Sequence, residues 1–229
     1  MRNRRSGYWP MASPFVLALV VIAIVAITII ELNVLTFAYE RIGVGAGWLY
    51  ALIIGSLVGS RINIPVRRFP DHTEKRDTEF VAFGVRYRVP EVVHTGQTVL
   101  AVNVGGAVIP TALAVYLIIH NSIWVPALVG ILVVSVVVHL VARPVPGVGI
   151  ATPFFISPVV AAVFATVVGG RAVAAVAYAS GTLGTLIGAD LTNLGRIRGL
   201  GAPIASIGGA GTWDGVFLTG IVAVLLTGR

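Results

Sequence analysis

The chain has 229 residues, 57% of them apolar and only 11% charged, with a mean hydropathy of +0.95. A soluble globular protein averages roughly 45–50% apolar and about 25% charged residues, so the composition reads as an integral membrane protein whose first partner is the lipid bilayer. Cysteine is absent, which excludes a disulfide framework and thiolate chemistry, and the net charge of +7 is explained below by topology, with no nucleic acid as partner.

A helix needs about 20 apolar residues to cross a hydrocarbon core about 30 Å thick. Seven runs qualify in chain order: residues 14–36, 44–63, 98–119, 123–142, 149–169, 172–192 and 202–227. The basic start "MRNRR" precedes the first, which is longer than the apolar region of a cleaved signal peptide and lacks a small-residue cleavage site, so it is expected to stay as an anchor. The second is short and interrupted by Gly55 and Gly59. Between the second and third lies a polar insertion, residues 66–96, in which Val85, Tyr87 and Val89 alternate with Arg86 and Arg88; this predicts a short β-hairpin or edge strand ending at Pro90. The insertion is too small to hold a core of its own, so residues 1–229 form one integral membrane domain.

The later runs differ in texture. The first and fourth are bulky and suited to face lipid, and His139 in the fourth has no second ligand at metal-binding spacing, so neither a metal nor a cofactor is expected. The third carries Asn103, Gly105, Gly106 and Pro110, and the fifth is bracketed by Pro146, Pro153 and Pro158. In the sixth, Ser180, Gly184 and Gly188 recur every four residues, the mark of a face that another helix approaches closely. Counting basic residues on alternate sides of seven spans, thirteen of the 16 fall on one side: three at the N-terminus, seven from Arg61 at the end of the second run to Arg88 ahead of the third, Arg143, and Arg196 with Arg198. The positive-inside rule then puts the N-terminus on the cytoplasmic side of the membrane. The expected fold is an all-α polytopic membrane protein of about seven transmembrane helices, some broken or re-entrant, with a small cytoplasmic β-hairpin.

Of the nine acids, five belong to the polar insertion and Glu40 adjoins Arg41 at a span end. Glu31, Asp190 and Asp214 remain, and an ionisable group at bilayer depth costs at least about 2.5–3.5 kcal/mol on insertion scales. With the first helix ending near residue 36, Glu31 is expected within a turn or two of the outer interface. Asp190 stands at the end of the sixth run, where the helix dipole disfavours an acid unless Arg196 or Arg198 pairs with it. Asp214 follows Pro203, Gly208, Gly209 and Gly211 and precedes Gly215 in "GAPIASIGGAGTWDG", a stretch expected to be broken or re-entrant. A helix starting at Thr212 or Trp213 would aim backbone N–H groups at the cavity that solvates Asp214. Gly209-x-Gly211 has no βαβ context and is not a nucleotide loop. There is no H-E-x-x-H zinc motif, no serine in a G-x-S-G setting, and the only lysine, Lys75, lies in the polar insertion.

The stretches "FGVRYRVPEV", "PGVGIATPFFISP", "YASGTLGTLIGADLTNL" and "GAPIASIGGAGTWDGVFLTGI" resemble a multi-pass prokaryotic membrane family, domain of unknown function 1614, over most of residues 65–227. A more distant similarity is to presenilin-like and prepilin-peptidase-like intramembrane aspartyl proteases, which set one Asp on one helix and a second in a Gly-x-Gly-Asp motif at the start of a later helix. That resemblance implies Asp190 and Asp214 as a catalytic pair, although Thr212 and Trp213 separate Gly211 from the acid here.

Three readings stay open. The first is an intramembrane aspartyl peptidase acting on a membrane peptide, with the two carboxyls sharing a proton and lying within about 7 Å, and with the edge of residues 79–89 holding an unfolded substrate by strand addition. The second is a small proton- or cation-coupled transporter or channel, in which Asp214 binds the ion and Asn103, Thr212, Gly209, Gly211 and Asn193 line its site. The third is a non-enzymatic membrane subunit whose acids only pair with Arg196, Arg198 or backbone.

Overall fold

The computed structural model describes residues 12–70, 79–82, 85–88, 97–145, 149–196, 204–209 and 215–228. Seven α-helices run through them: α1 (Ala12–Arg41), α2 (Ala46–Gly59), α3 (Ile109–His120), α4 (Trp124–Val141), α5 (Ile156–Val168), α6 (Val173–Thr185) and α7 (Gly215–Leu226). Seven short strands join them: β1 (Asn63–Pro70), β2 (Glu79–Ala82), β3 (Val85–Arg88), β4 (Gln97–Asn103), β5 (Arg143–Val145), β6 (Gly149–Ala151) and β7 (Ile204–Ile207).

Three stretches, Leu19–Arg41, Trp124–Val141 and Gly170–Arg196, are long and apolar enough to cross a membrane. They mark a membrane protein. The remaining apolar helices are shorter, between 10 and 17 residues, so seven full-length crossings are not what these elements provide. The reason is visible in the expected third and seventh spans, whose first parts are strands. Residues 98–103 belong to β4 and residues 204–207 to β7, and only then do α3 and α7 begin. The all-α expectation is corrected accordingly. A strand buried on both faces and a buried helix segment are both continuous apolar runs, and periodicity alone does not separate them.

α6 is the hub. Its Val176, Ala177, Tyr178, Ala179 and Ser180 are fully buried, and α3, α4, α5 and α7 pack around it. The four-residue stripe of small residues does what its spacing predicts. A Cβ at Gly184 would lie 2.6 Å from the Cβ of Val134, and one at Gly188 would lie 2.4 Å from the carbonyl oxygen of Ser135, so α4 rests directly on the α6 backbone. Ser135 Oγ donates to Gly184 O across this seam at 3.1 Å. By contrast, α1 is exposed along most of its length, with Val16, Ile22, Ile27 and Ile30 all more than half accessible, a surface suited to lipid. It joins the bundle near its end, through buried Leu35, Ala38 and Tyr39 and through Arg41 Nη1, which donates to Val224 O at 3.1 Å. Because α1 continues to Arg41, Glu31 lies ten residues before its end, about 15 Å along the axis. Glu31 therefore stands further from the end of its helix than an end near residue 36 would place it.

The three-stranded sheet has the order β1-β4-β7, with β1 antiparallel and β7 parallel to β4. β1 follows α2, β4 leads into α3 and β7 leads towards α7, so the sheet closes one end of the bundle where three helices begin or end. The register of β1 shifts between Pro65 and Arg67; Pro65, which has no N–H to give, is tolerated because β1 is an edge strand. The expected hairpin is present as β2 and β3, paired antiparallel from Glu79↔Arg88 to Ala82↔Val85. A second hairpin, β5–β6, links α4 to α5.

Candidate functional site

Where the sheet meets the helices, two helices lose their regular pitch. Val104–Val108 forms a π-helical turn between β4 and α3, and Leu186–Asp190 forms another at the end of α6, followed by a 3₁₀ segment, Leu191–Arg196. Such bulges inside apolar helices are rare and frequently sit at functional sites.

Asn103 organises the first turn. It is 1% exposed; its Oδ1 accepts from Gly106 N at 2.7 Å, capping the π turn, and its Nδ2 donates to Ser60 O at 2.7 Å and to Asn63 Oδ1 at 3.1 Å. Asn63 faces it across the β1–β4 ladder, and the same Oδ1 accepts from Ser206 Oγ at 2.6 Å. One asparagine oxygen thus ties together all three strands of the sheet. The sequence reading singled out Asn103 but missed Ser60, Asn63 and Ser206; the only trace of them is polar residues interrupting apolar runs at "RINIP" and "IASI". Asn103 acts here as a brace, its oxygen already engaged by backbone.

From Ser206 the chain reaches the second turn. Gly208 has φ +82° and Gly209 φ +100°, both in the left-handed region that glycine occupies without strain. Gly209 N donates back to Ser206 O at 3.2 Å, closing a tight turn. A Cβ at Gly208 would lie 2.6 Å from the Ala107 nitrogen, so this turn is pressed against the first π turn. The Gly208 N–H points the other way and donates to Asp190 Oδ2 at 2.7 Å. The expectation of broken backbone ahead of α7 is met by β7 and these two glycines.

Asp190 has been carried to this point by the end of α6. It stands two residues after Gly188 and takes its hydrogen bond from the Gly208 backbone. Among the described residues it forms no ion pair with Arg196, and Arg198 lies outside them. The backbone N–H supplies the positive dipole that the C-terminal end of a helix denies an acid. Asn193, fully buried three residues on, donates from Nδ2 to Gly188 O at 2.9 Å and Ala189 O at 3.0 Å, while its Oδ1 has no hydrogen-bond partner. His139 reaches the same segment from α4, its Nδ1 2.8 Å from Thr192 Oγ1, which itself donates to Gly188 O.

Asp214, Gly211 and Thr212 lie outside the described residues, as does the separation of Asp214 from Asp190. The packing of α6 on α7 fixes the level of the neighbouring positions. A Cβ at Gly220 would lie 2.3 Å from Thr182 Oγ1, and one at Gly181 would lie 3.3 Å from Thr219 Cγ2. Asp190 is eight residues beyond Thr182, about 12 Å along the axis, and Gly215 is five residues before Gly220, about 7.5 Å. The end of α6 and the start of α7 thus stand within about one helical turn of each other, on the same side of the bundle. Among the described residues, no group of three or more His, Asp or Glu is placed to hold a metal ion.

No curated protein and no solved structure matches the chain. A family model described as a protein of unknown function, DUF1614, matches residues 57–226, from the end of α2 to the end of α7 and including both π turns, the sheet and Asp190. The chain belongs to the DUF1614 family.

Proposed function

We propose that this protein is a multi-pass membrane peptidase of the aspartyl type, with its N-terminus in the cytoplasm and with Asp190 and Asp214 as the catalytic pair. The observation that carries the reading is the hydrogen bond from Gly208 N to Asp190 Oδ2, which joins the acid of α6 to the turn six residues ahead of the second acid. The near-equal level of Asp190 and the start of α7 supports it, because an acid immediately before Gly215 is covalently tied to that level. The thirteen basic residues on one side support the orientation.

In this reading the two carboxyls share one proton. The ionised member takes a proton from water as the oxygen adds to the scissile carbonyl carbon, and the protonated member gives its proton to the amide nitrogen as the C–N bond breaks. Gly208 N–H holds one Asp190 oxygen and leaves the other for this work. The substrate is a membrane peptide in extended form. β7 suits it better than the β2–β3 hairpin, because β7 is an edge of the three-stranded sheet and runs directly into Gly208.

The test uses purified protein in liposomes with a fluorogenic transmembrane peptide. Asp190→Asn and Asp214→Asn are each expected to lower cleavage by about 10²-fold or more, with thermal unfolding little changed. Cleavage that survives either substitution overturns the reading. One observation favours an alternative: the unpartnered, buried Oδ1 of Asn193 beside Asp190 suits a proton- or cation-coupled carrier. In that case the same liposomes show ion-driven flux that depends on Asp190 and no cleavage.

A further inference from the structure

β1 forms one edge of the three-stranded sheet and is exposed along most of its length. Two kinds of side chain share that exposure. Ile62, Ile64 and Val66 are 49%, 50% and 62% accessible, and the exposed Arg61, Arg67 and Arg68 stand among them. No hydrogen bond or ion pair ties any of these three guanidiniums to another described residue.

The packing puts this strand where hydrocarbon gives way to water. It continues from α2, an apolar helix whose Ile54, Leu57 and Val58 are each more than half exposed and which ends at Gly59. Its other end is anchored beside the end of the Gly170–Arg196 stretch, because Phe69 is buried with Leu100 and Ala205 and Leu194 packs against that cluster. The register shift after Pro65 then sets the arginines. Ile64 stands opposite Val102, Arg67 opposite Leu100 and Phe69 opposite Thr98, so the bulge at Val66 brings Arg67 onto the face of Ile64 and Phe69. Arg67 lies over the Phe69 ring, 5.2 Å from its centroid, which holds the guanidinium in place while its N–H groups make no hydrogen bond.

These features select the partner. A protein strand added to β1 would meet Pro65, the extra residue at Val66 and two adjacent arginines, the devices by which edge strands resist pairing. Bulk water would leave three large aliphatic side chains uncovered on one short edge. A bilayer surface accepts both sets, aliphatic groups at the hydrocarbon edge and arginines at the phosphates. We propose that Arg61–Arg68 is an interfacial docking surface for anionic phospholipid, with its guanidiniums on the headgroup phosphates and Ile62, Ile64 and Val66 among the first acyl carbons. Net negative headgroups are preferred because a zwitterionic headgroup carries its own cation beside the phosphate. The inference rests on the membrane placement and not on the peptidase reading, in which none of these residues takes part.

The chain has no cysteine, so Val66→Cys alone carries a bimane label. The labelled full chain is reconstituted in phosphatidylcholine liposomes containing a small, equal fraction of either phosphatidylglycerol or phosphatidylcholine with a doxyl quencher near the headgroup end of one chain. Quenching by the glycerol lipid is expected to show about fivefold or greater preference over the choline lipid. The preference is expected to fall to about twofold or less in about 1 M salt, where the Debye length is about 3 Å, and likewise in Arg67→Gln/Arg68→Gln. Inorganic phosphate, matched to chloride in ionic strength, is expected to leave it unchanged. Equal quenching by the two lipids, or quenching by neither because water or a second copy covers the strand, overturns the proposal. So does a preference that survives high salt and the double substitution, or one that inorganic phosphate abolishes.

Discussion

The α4–α6 seam and the layer beneath it use glycine to different ends. In the seam, Gly184 and Gly188 keep helical backbone, and their value is the missing side chain, which lets Val134 and Ser135 of α4 touch the α6 backbone. At the end of the bundle, Gly208 and Gly209 adopt positive φ, and their value is the conformation itself, which turns β7 away and aims an N–H at Asp190. Gly208 also needs the missing side chain, because Ala107 is packed against it. Regular helix can bury a smooth seam, but it cannot deliver a backbone donor to an acid; that requires the helical pattern to stop. The π turns and the strand ends are concentrated where Asp190 falls.

Substitutions to alanine separate the two uses. Gly208→Ala incurs both penalties, left-handed strain and a clash, and is expected to cost about 3 kcal/mol in thermal unfolding and, under the proposed peptidase function, to lower cleavage per folded molecule. Gly188→Ala meets only a clash, with Ser135 and Val138, at an expected cost of about 2 kcal/mol, and under the proposed function leaves cleavage per folded molecule unchanged. Gly170→Ala meets only strain: its φ is +54° and nothing lies within 4 Å of its missing Cβ, so about 1 kcal/mol is expected. If Gly208→Ala costs no more than Gly170→Ala, the close packing of the two turns is not what holds Asp190, and the contrast drawn here collapses.

The elements that sequence patterning resolved were those with one dominant signal. α4 falls on its expected bounds to within a residue, the β2–β3 hairpin sits where valine and arginine alternate, and the Ser180–Gly184–Gly188 stripe packs as its spacing predicts. The elements that it merged were those where one apolar run serves two structures. "TVLAVN" and "IASI" are as apolar as the helices that follow them, and what makes them strands is their pairing with each other, Val99 opposite Ile204 and Val102 opposite Ile207. Those partners are about a hundred residues apart in the chain, so no local window contains the signal. Asn63 and Ser206 escaped notice for the same reason: each is an ordinary polar residue until the sheet sets both beside Asn103.

Composition alone determined the solvent of this protein, because 57% apolar residues leave too little polar surface to face water, and the glycines before Asp214 already announced that the chain could not stay helical there. Which acid meets which backbone group was decided only in three dimensions. Asp190 reads from its neighbours as a partner for arginine, and among the described residues it is the parallel pairing of β7 with β4 that brings it a donor, the Gly208 N–H. Glu31, expected near the interface from a helix end near residue 36, stands ten residues before the end of α1, which runs on to Arg41. Hydropathy is a property of each residue and adds along the chain; hydrogen-bond partnership is a property of pairs and exists only after the chain has folded.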